Sequence, residues 1–253
     1  MTLRYRFSRI PNAARLAMSG QTRSYPRESR WTAVDEFAFS RLHPSTSAPS
    51  VPALDHALAN MEKAGVFNIA VSPALGKYLQ LQARLVRAKH ILEVGTLGGY
   101  STIWLANAAP DVKVTTVEVD KHHADVARAN LKYAGVSDRV DIRLGPGMKV
   151  LPQLAQEIEN GKRDKFQFVF IDADKQNNWN YVDMAIGMCE PGTCIIIDNV
   201  VRNTNWTSDI GDTRSKEARQ FVENIGKDDR LEGVVVQTVG ERSWDGFLFA
   251  VVK

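Results

Sequence analysis

The feature that most constrains this chain is an alternation. Short apolar runs at 90-HILEVG-95, 113-KVTTVEV-119, 139-RVDIRL-144, 166-FQFVFID-172 and 193-TCIIID-198 are separated by stretches of helical length, among them 121-KHHADVARANLKYAG-135 and 147-GMKVLPQLAQEIEN-160. Strands spaced by helices are joined by crossovers rather than tight turns, so they run parallel and carry helices on both faces of the sheet. Two further runs, 233-GVVVQTV-239 and 246-GFLFAVV-252, have only a short connection between them. They predict a hairpin that adds an antiparallel C-terminal strand at the sheet edge. The expected fold is α/β, a mostly parallel sheet of seven strands. Two helices precede it. One carries Leu54, Leu58 and Met61 at helical spacing and ends at Gly65; the other starts with Ser72 as N-cap and Pro73 in the first turn, its apolar face formed by Leu75, Leu79, Ala83 and Val86.

Composition narrows the partners. A chain of 253 residues that is 44% hydrophobic can bury one large core, and a net charge of +3 gives no reason to expect nucleic acid. No apolar run is long enough to cross a bilayer, so a soluble protein without a membrane partner is expected. Cys189 and Cys194, read as lying at a helix end and on the next strand, do not make a disulfide framework and fit a reducing compartment. The first thirty residues hold Arg4, Arg6, Arg9, Arg15, Arg23, Arg27 and Arg30, no lysine, and Glu28 as their one acid. That composition reads as a mitochondrial transit segment or, alternatively, as a basic arm that packs on a partner subunit of a cytoplasmic protein. With 43-HPSTSAPSVP-52 read as a linker, residues 1–50 form an extension and 51–253 the domain.

In an open parallel sheet, ligands bind beyond the carboxyl ends of the strands. Three such ends carry chemistry. The first, 92-LEVGTLGGYS-101, is a glycine-rich turn into a helix near Ser101. Gly95 lets backbone approach a ligand, the helix start offers free N–H groups, and Glu93 suits a cationic ligand better than a pyrophosphate. The spacing is G-x-x-G-G, which departs from the dinucleotide fingerprint. The second end is Glu118, an acid placed to accept both hydroxyls of a ribose. The third is the pair Asp172 and Asp198-Asn199, 26 residues apart and thus one crossover unit. Two carboxylates and an amide oxygen on neighbouring strands are hard donors suited to Mg²⁺. His122 and His123 read as solvated.

These stretches resemble the cation-dependent class I S-adenosylmethionine O-methyltransferases, the group of catechol and caffeoyl-CoA O-methyltransferases. The likeness runs from about residue 52 to 253 and rests on AVSPALGKYL, LEVGTLGGYS, AGVSDRV, FIDADK, DNVV and the final WDGFLFAVV. It implies a Rossmann-like fold, S-adenosylmethionine as cofactor, and Mg²⁺ (or Mn²⁺ or Ca²⁺ in its place). Position by position it implies Val71 and Ser72 at the edge of the cofactor pocket, Glu93, Gly95 and Ser101 in the methionine-binding motif, and Glu118 at the ribose. It further implies Gly147 behind the adenine, Asp174 at the cofactor, Asp172, Asp198 and Asn199 as metal ligands, and Lys175 as catalytic base beside Asp172. Where the plant CoA-ester enzymes read DNTLWNG, this chain reads 198-DNVVRNTNW-206, with Arg202 in place of the tryptophan. The implied substrate is therefore a catechol, flavonoid or related phenol bound near Lys175, Asn199 and Trp206, with a CoA-ester phenylpropanoid or a metal-independent methylation as the alternative. Dimeric relatives and the apolar faces of the helices at 52–88 point to a homodimer. Trp179 and Trp244 share the same end of the sheet in this reading.

Overall fold

The structure is a computed structural model that describes residues 29–201, 213–240 and 244–253. The arginines up to Arg27, together with Arg202 and Trp206, lie outside the described residues. Seven strands form one sheet: β1 (His90–Val94), β2 (Lys113–Glu118), β3 (Val140–Leu144), β4 (Phe166–Ile171), β5 (Cys189–Ile197), β6 (Leu231–Val239) and β7 (Trp244–Val252). Their spatial order is β3-β2-β1-β4-β5-β7-β6. From β1 the chain winds outward through β2 to β3; it then returns to β4 on the other side of β1 and winds the opposite way. The β1/β4 boundary is the switch point of a doubly wound sheet, where helices diverge and leave a crevice.

Only β7 runs against the rest, as its antiparallel pairing with both β5 and β6 shows. The expected hairpin is present, but its antiparallel strand is not the edge. β7 is inserted beside β5, and β6 takes the outside place. The reason is burial. In β7, Phe247, Leu248, Ala250 and Val252 are buried, whereas β6 leaves Val234, Val236 and Val239 exposed.

The helices are α1 (Ser29–Leu42), α2 (Val51–Lys63), α3 (Pro73–Leu85), α4 (Tyr100–Ala106), α5 (Lys121–Tyr133), α6 (Gly147–Glu159), α7 (Asn178–Gly187) and α8 (Thr213–Lys227). Ser72 caps α3 as expected, its hydroxyl accepting from the Leu75 amide at 3.2 Å. Apart from Gln167, β4 is apolar because both faces are covered. Phe168 and Phe170 enter one core with Met61, Leu79, Ile103 and Trp104. Val169 and Ile171 enter the other with Leu151, Leu154, Val182 and Ile197. Trp179 packs against this second core.

Three expectations need correction. Cys189 begins strand β5 rather than ending a helix, and the ladder to β4 is irregular between Phe166 and Phe168. Part of the segment read as extension and linker is built into the fold: α1 packs on α3, Phe39 stacks on His43, and the His43 ring lies 5.0 Å from that of Trp104. His43 is buried and holds the Pro49 carbonyl at 2.8 Å, which closes the turn into α2. Finally, of the apolar faces expected to bury against a partner, Leu54, Met61, Leu79 and Ala83 are buried within this chain, and Leu58, Leu75 and Val86 pack partly buried against the same core, where α4 and α5 meet α2 and α3.

Candidate active site

A cavity of about 960 Å³ opens beyond the carboxyl ends of β1, β2 and β4. Its wall includes Val71, Gly95, Ser101, Glu118, Gly147, Asp172, Asp174, Lys175 and Asn199. The strand ends singled out from the sequence therefore converge on one space.

The glycine-rich turn forms its floor. Gly95 has φ +103°, and a Cβ there would lie 2.1 Å from the Asp172 carbonyl oxygen. The Gly95 N–H donates to Val117 O at 2.9 Å, and Asp172 N–H donates to Val94 O at 2.8 Å, so the turn is laced to both neighbouring strands. From behind, the fully buried Asn130 donates to Gly98 O at 2.8 Å and accepts from Asn60 Nδ2 at 2.7 Å. The first helix of the domain is thereby tied to the turn that meets the ligand.

Glu118 is held for one orientation. Its Oε2 accepts from Leu97 N–H at 2.7 Å and its Oε1 from Asp120 N–H at 2.9 Å. A carboxylate offers about four acceptor positions, so two remain for a pair of hydroxyls. His123, read as solvated, instead borders the cavity, with Nδ1 3.7 Å from Glu118 Oε1. Asp174 is also braced: Tyr181 donates to its Oδ1 at 2.5 Å, and Asn177 Nδ2 donates to its Oδ2. Tyr181 also explains Gly147, where a Cβ would lie 2.7 Å from the tyrosine ring. Burial, reinforced by Asp174, raises the Tyr181 phenol well above its usual range, so it remains a donor.

Glu93 does not reach the cavity. It is completely buried behind the turn, where it accepts from Ser101 Oγ at 2.6 Å, Thr116 Oγ1 at 2.6 Å and Thr102 Oγ1. Burial pushes its carboxyl up to about 7, against the pull of those three hydroxyls. It is not part of the cavity wall; it fixes Ser101, which is. The alternation of side chains along β1 turns Glu93 away from the strand's open end, a direction its position in the sequence leaves open.

Asp172, on the cavity wall, and the buried Asp198, which is not part of that wall, stand on adjacent strands, just past the paired Ile171 and Ile197. Lys175 Nζ donates to Asp172 Oδ1 at 2.6 Å and to the Asp198 carbonyl at 3.1 Å. Asn199 N–H donates to Asp198 Oδ1 at 2.7 Å. Burial and then the neighbouring Asp172 push the Asp198 carboxyl up to about 7, with Lys175 opposing. Among the described residues no three His, Cys, Asp or Glu side chains surround one point. The candidate donor set is two carboxylates and an amide, hard oxygens throughout, and the buried Asp198 beside the partly exposed Asp172 is an acid pair that a cation between its members stabilises. The residues fit a divalent ion of the Mg²⁺ type.

Residues 45–248 match the family described as O-methyltransferase. The chain belongs to the O-methyltransferase family. The O-methyltransferase imqG of Aspergillus flavus is 42% identical over 232 residues, covering 90% of this chain and 94% of that one. A catechol O-methyltransferase of Mycobacterium tuberculosis is 43% identical, over 83% of this chain and 92% of its own. Among solved structures, an O-methyltransferase from Bacillus cereus in complex with SAH shares 42% identity with a TM-score of 0.77, over 88% of this chain and 99% of that chain. The enzyme is an S-adenosylmethionine-dependent O-methyltransferase with a Rossmann-like sheet.

Proposed function

We propose that this O-methyltransferase acts on a catechol-type aromatic, a flavonoid or related phenol, and that it needs a divalent cation. The observation that carries this reading is the meeting of Asp172, Lys175 and Asn199 on the wall of one cavity, with the buried Asp198 joined to them by the Lys175 and Asn199 hydrogen bonds, while Glu118 and the glycine-rich turn line the same cavity. Glu118 takes the ribose hydroxyls with its two remaining acceptor positions. Gly147 and Tyr181 wall the adenine, Asp174 accepts from it, and Ser101 with the glycine-rich turn receives the amino-acid end. Asp172, Asp198 and Asn199 would hold the cation, which when bound supplies charge that favours phenolate over phenol. Lys175 takes the hydroxyl proton. The oxygen forms its bond to the methyl carbon as the carbon–sulfur bond breaks, and that electron pair stays on sulfur. Holding the two reactants in line within one cavity supplies much of the acceleration.

The test is turnover of a catechol after removal of divalent ions by a chelator. Activity is expected to fall and to return on adding Mg²⁺ beyond the chelator. Enzyme that keeps its full rate through chelation would defeat the cation reading. A panel of catechols, flavonoids and CoA esters under the same conditions identifies the substrate class.

The enzyme is further proposed to be a homodimer. Phe67, Ile69 and Leu85 are each at least 70% exposed, with Val34 and Phe37 of α1 also uncovered. Apolar surface of this kind is favourably buried against a second copy. Light scattering should give about twice the 28.2 kDa of one chain; a single-chain mass at micromolar concentration would refute it.

A further inference from the structure

The closing motif WDGFLFAVV contains one acid, Asp245, that the mechanism above does not use. It lies near the start of β7, across the sheet end from Asn199. Its Oδ1 accepts from the Gly246 N–H at 2.7 Å, and its Oδ2 accepts from Asn199 Nδ2 at 3.1 Å. A carboxylate only accepts, whereas a side-chain amide has a donating end and an accepting end. Asp245 therefore distinguishes the two ends of Asn199. By holding Nδ2 it turns Oδ1 the other way.

Everything around this contact limits its freedom. Asn199 has φ +56°, a left-handed conformation that asparagine tolerates better than most residues. Its N–H is committed to Asp198 Oδ1. The next residue, Val200, donates to Gly246 O at 2.8 Å and ties the loop to β7. Gly246 is packed so closely that a Cβ would lie 2.6 Å from Val201 Cγ2 and 2.7 Å from Val236 O. Gly246 thus lies tight against Val201 and β6, next to Asp245.

We propose that Asp245 is a positioning residue that selects the amide orientation of Asn199 and so presents Oδ1 as the neutral oxygen donor beside Asp172 and Asp198. The proposal rests on the divalent-cation reading. Partners of this kind, which do not touch the ion but orient a ligand, typically change metal affinity by about 10–100-fold. An acid here offers a separate oxygen to each partner, Oδ1 to the Gly246 N–H and Oδ2 to the Asn199 amide, whereas an amide or hydroxyl has a single oxygen to share between them.

The experiment uses the full chain with saturating S-adenosylhomocysteine and reads Mn²⁺ binding from the free-ion signal in electron paramagnetic resonance. Asp245→Ala is expected to weaken Mn²⁺ binding by about 100-fold, and Asp245→Asn, which has one acceptor oxygen where the carboxylate uses two, by about 10-fold. S-adenosylhomocysteine affinity, measured by calorimetry without metal, should match wild type in both. Unchanged Mn²⁺ affinity in the two variants would overturn the proposal while leaving the cation reading intact. A loss of S-adenosylhomocysteine binding parallel to that of Mn²⁺ would mark general damage and overturn it as well. If wild type itself binds no Mn²⁺, the cation reading fails first and this inference fails with it.

Discussion

Gly95→Ala is expected to destabilise the protein by about 2–5 kcal/mol and to weaken S-adenosylhomocysteine binding by at least about 100-fold. Two separate costs meet at this position. A φ of +103° is strained for any residue with a Cβ, and the new methyl would stand 2.1 Å from a main-chain oxygen of Asp172. Backbone cannot swing aside as a long side chain does, so β1, the turn and the start of the 172–175 segment must all shift. That shift reaches the cofactor turn and the acid pair together. Gly65→Ala separates the two costs, because Gly65 also has positive φ, +74°, but nothing lies within 4 Å of its would-be Cβ. The control should lose about 1–2 kcal/mol and keep normal S-adenosylhomocysteine affinity. Thermal unfolding and calorimetric titration of both variants check this. Equal behaviour of the two would mean that the close approach to Asp172 is unimportant.

The same contact shows what could be read from sequence and what could not. Asp172 and Asp198 were legible because each ends an apolar run, and a crossover of 26 residues places such runs side by side. Gly95, Ser101 and Glu118 were legible for the same reason, since a strand end in this architecture faces the crevice. Glu93 misled because period-2 alternation decides direction, and one residue of offset moves a side chain from the cavity to the core. His123 and Tyr181 were passed over because each reaches the site across space, His123 to Glu118 and Tyr181 to Asp174. A helical period gives the face on which such a residue lies, but not which strand end that face covers. Asn130 is the sharpest case. It sits on α5 among buried apolar residues, and only the docking of α2 and the glycine-rich turn around it explains an amide there. The order of β6 and β7 was likewise hidden, because two apolar runs joined by a short link predict a pair without saying which member meets β5.

Lys175→Ala should lower kcat on a catechol by about 10²–10⁴, the range for losing a general base. Geometry alone admits two roles, however. Lys175 Nζ is 2.6 Å from Asp172 Oδ1 and 3.1 Å from the Asp198 carbonyl, so it could serve simply as the positive charge that steadies two acids. Lys175→Arg divides the roles. Guanidinium keeps the charge and the donors but is not deprotonated in proteins, so it steadies Asp172 without accepting a proton. If Lys175 is the base, the arginine variant should be nearly as slow as the alanine one. Both deficits should then shrink along a series of catechols of rising acidity, because a phenol that ionises readily needs less help. S-adenosylhomocysteine affinity in both variants, measured alongside, confirms that the cofactor half of the cavity is undisturbed. An arginine variant that recovers most of the wild-type rate, with a deficit constant across the substrate series, would leave Lys175 as a clamp on Asp172 and assign the proton to solvent.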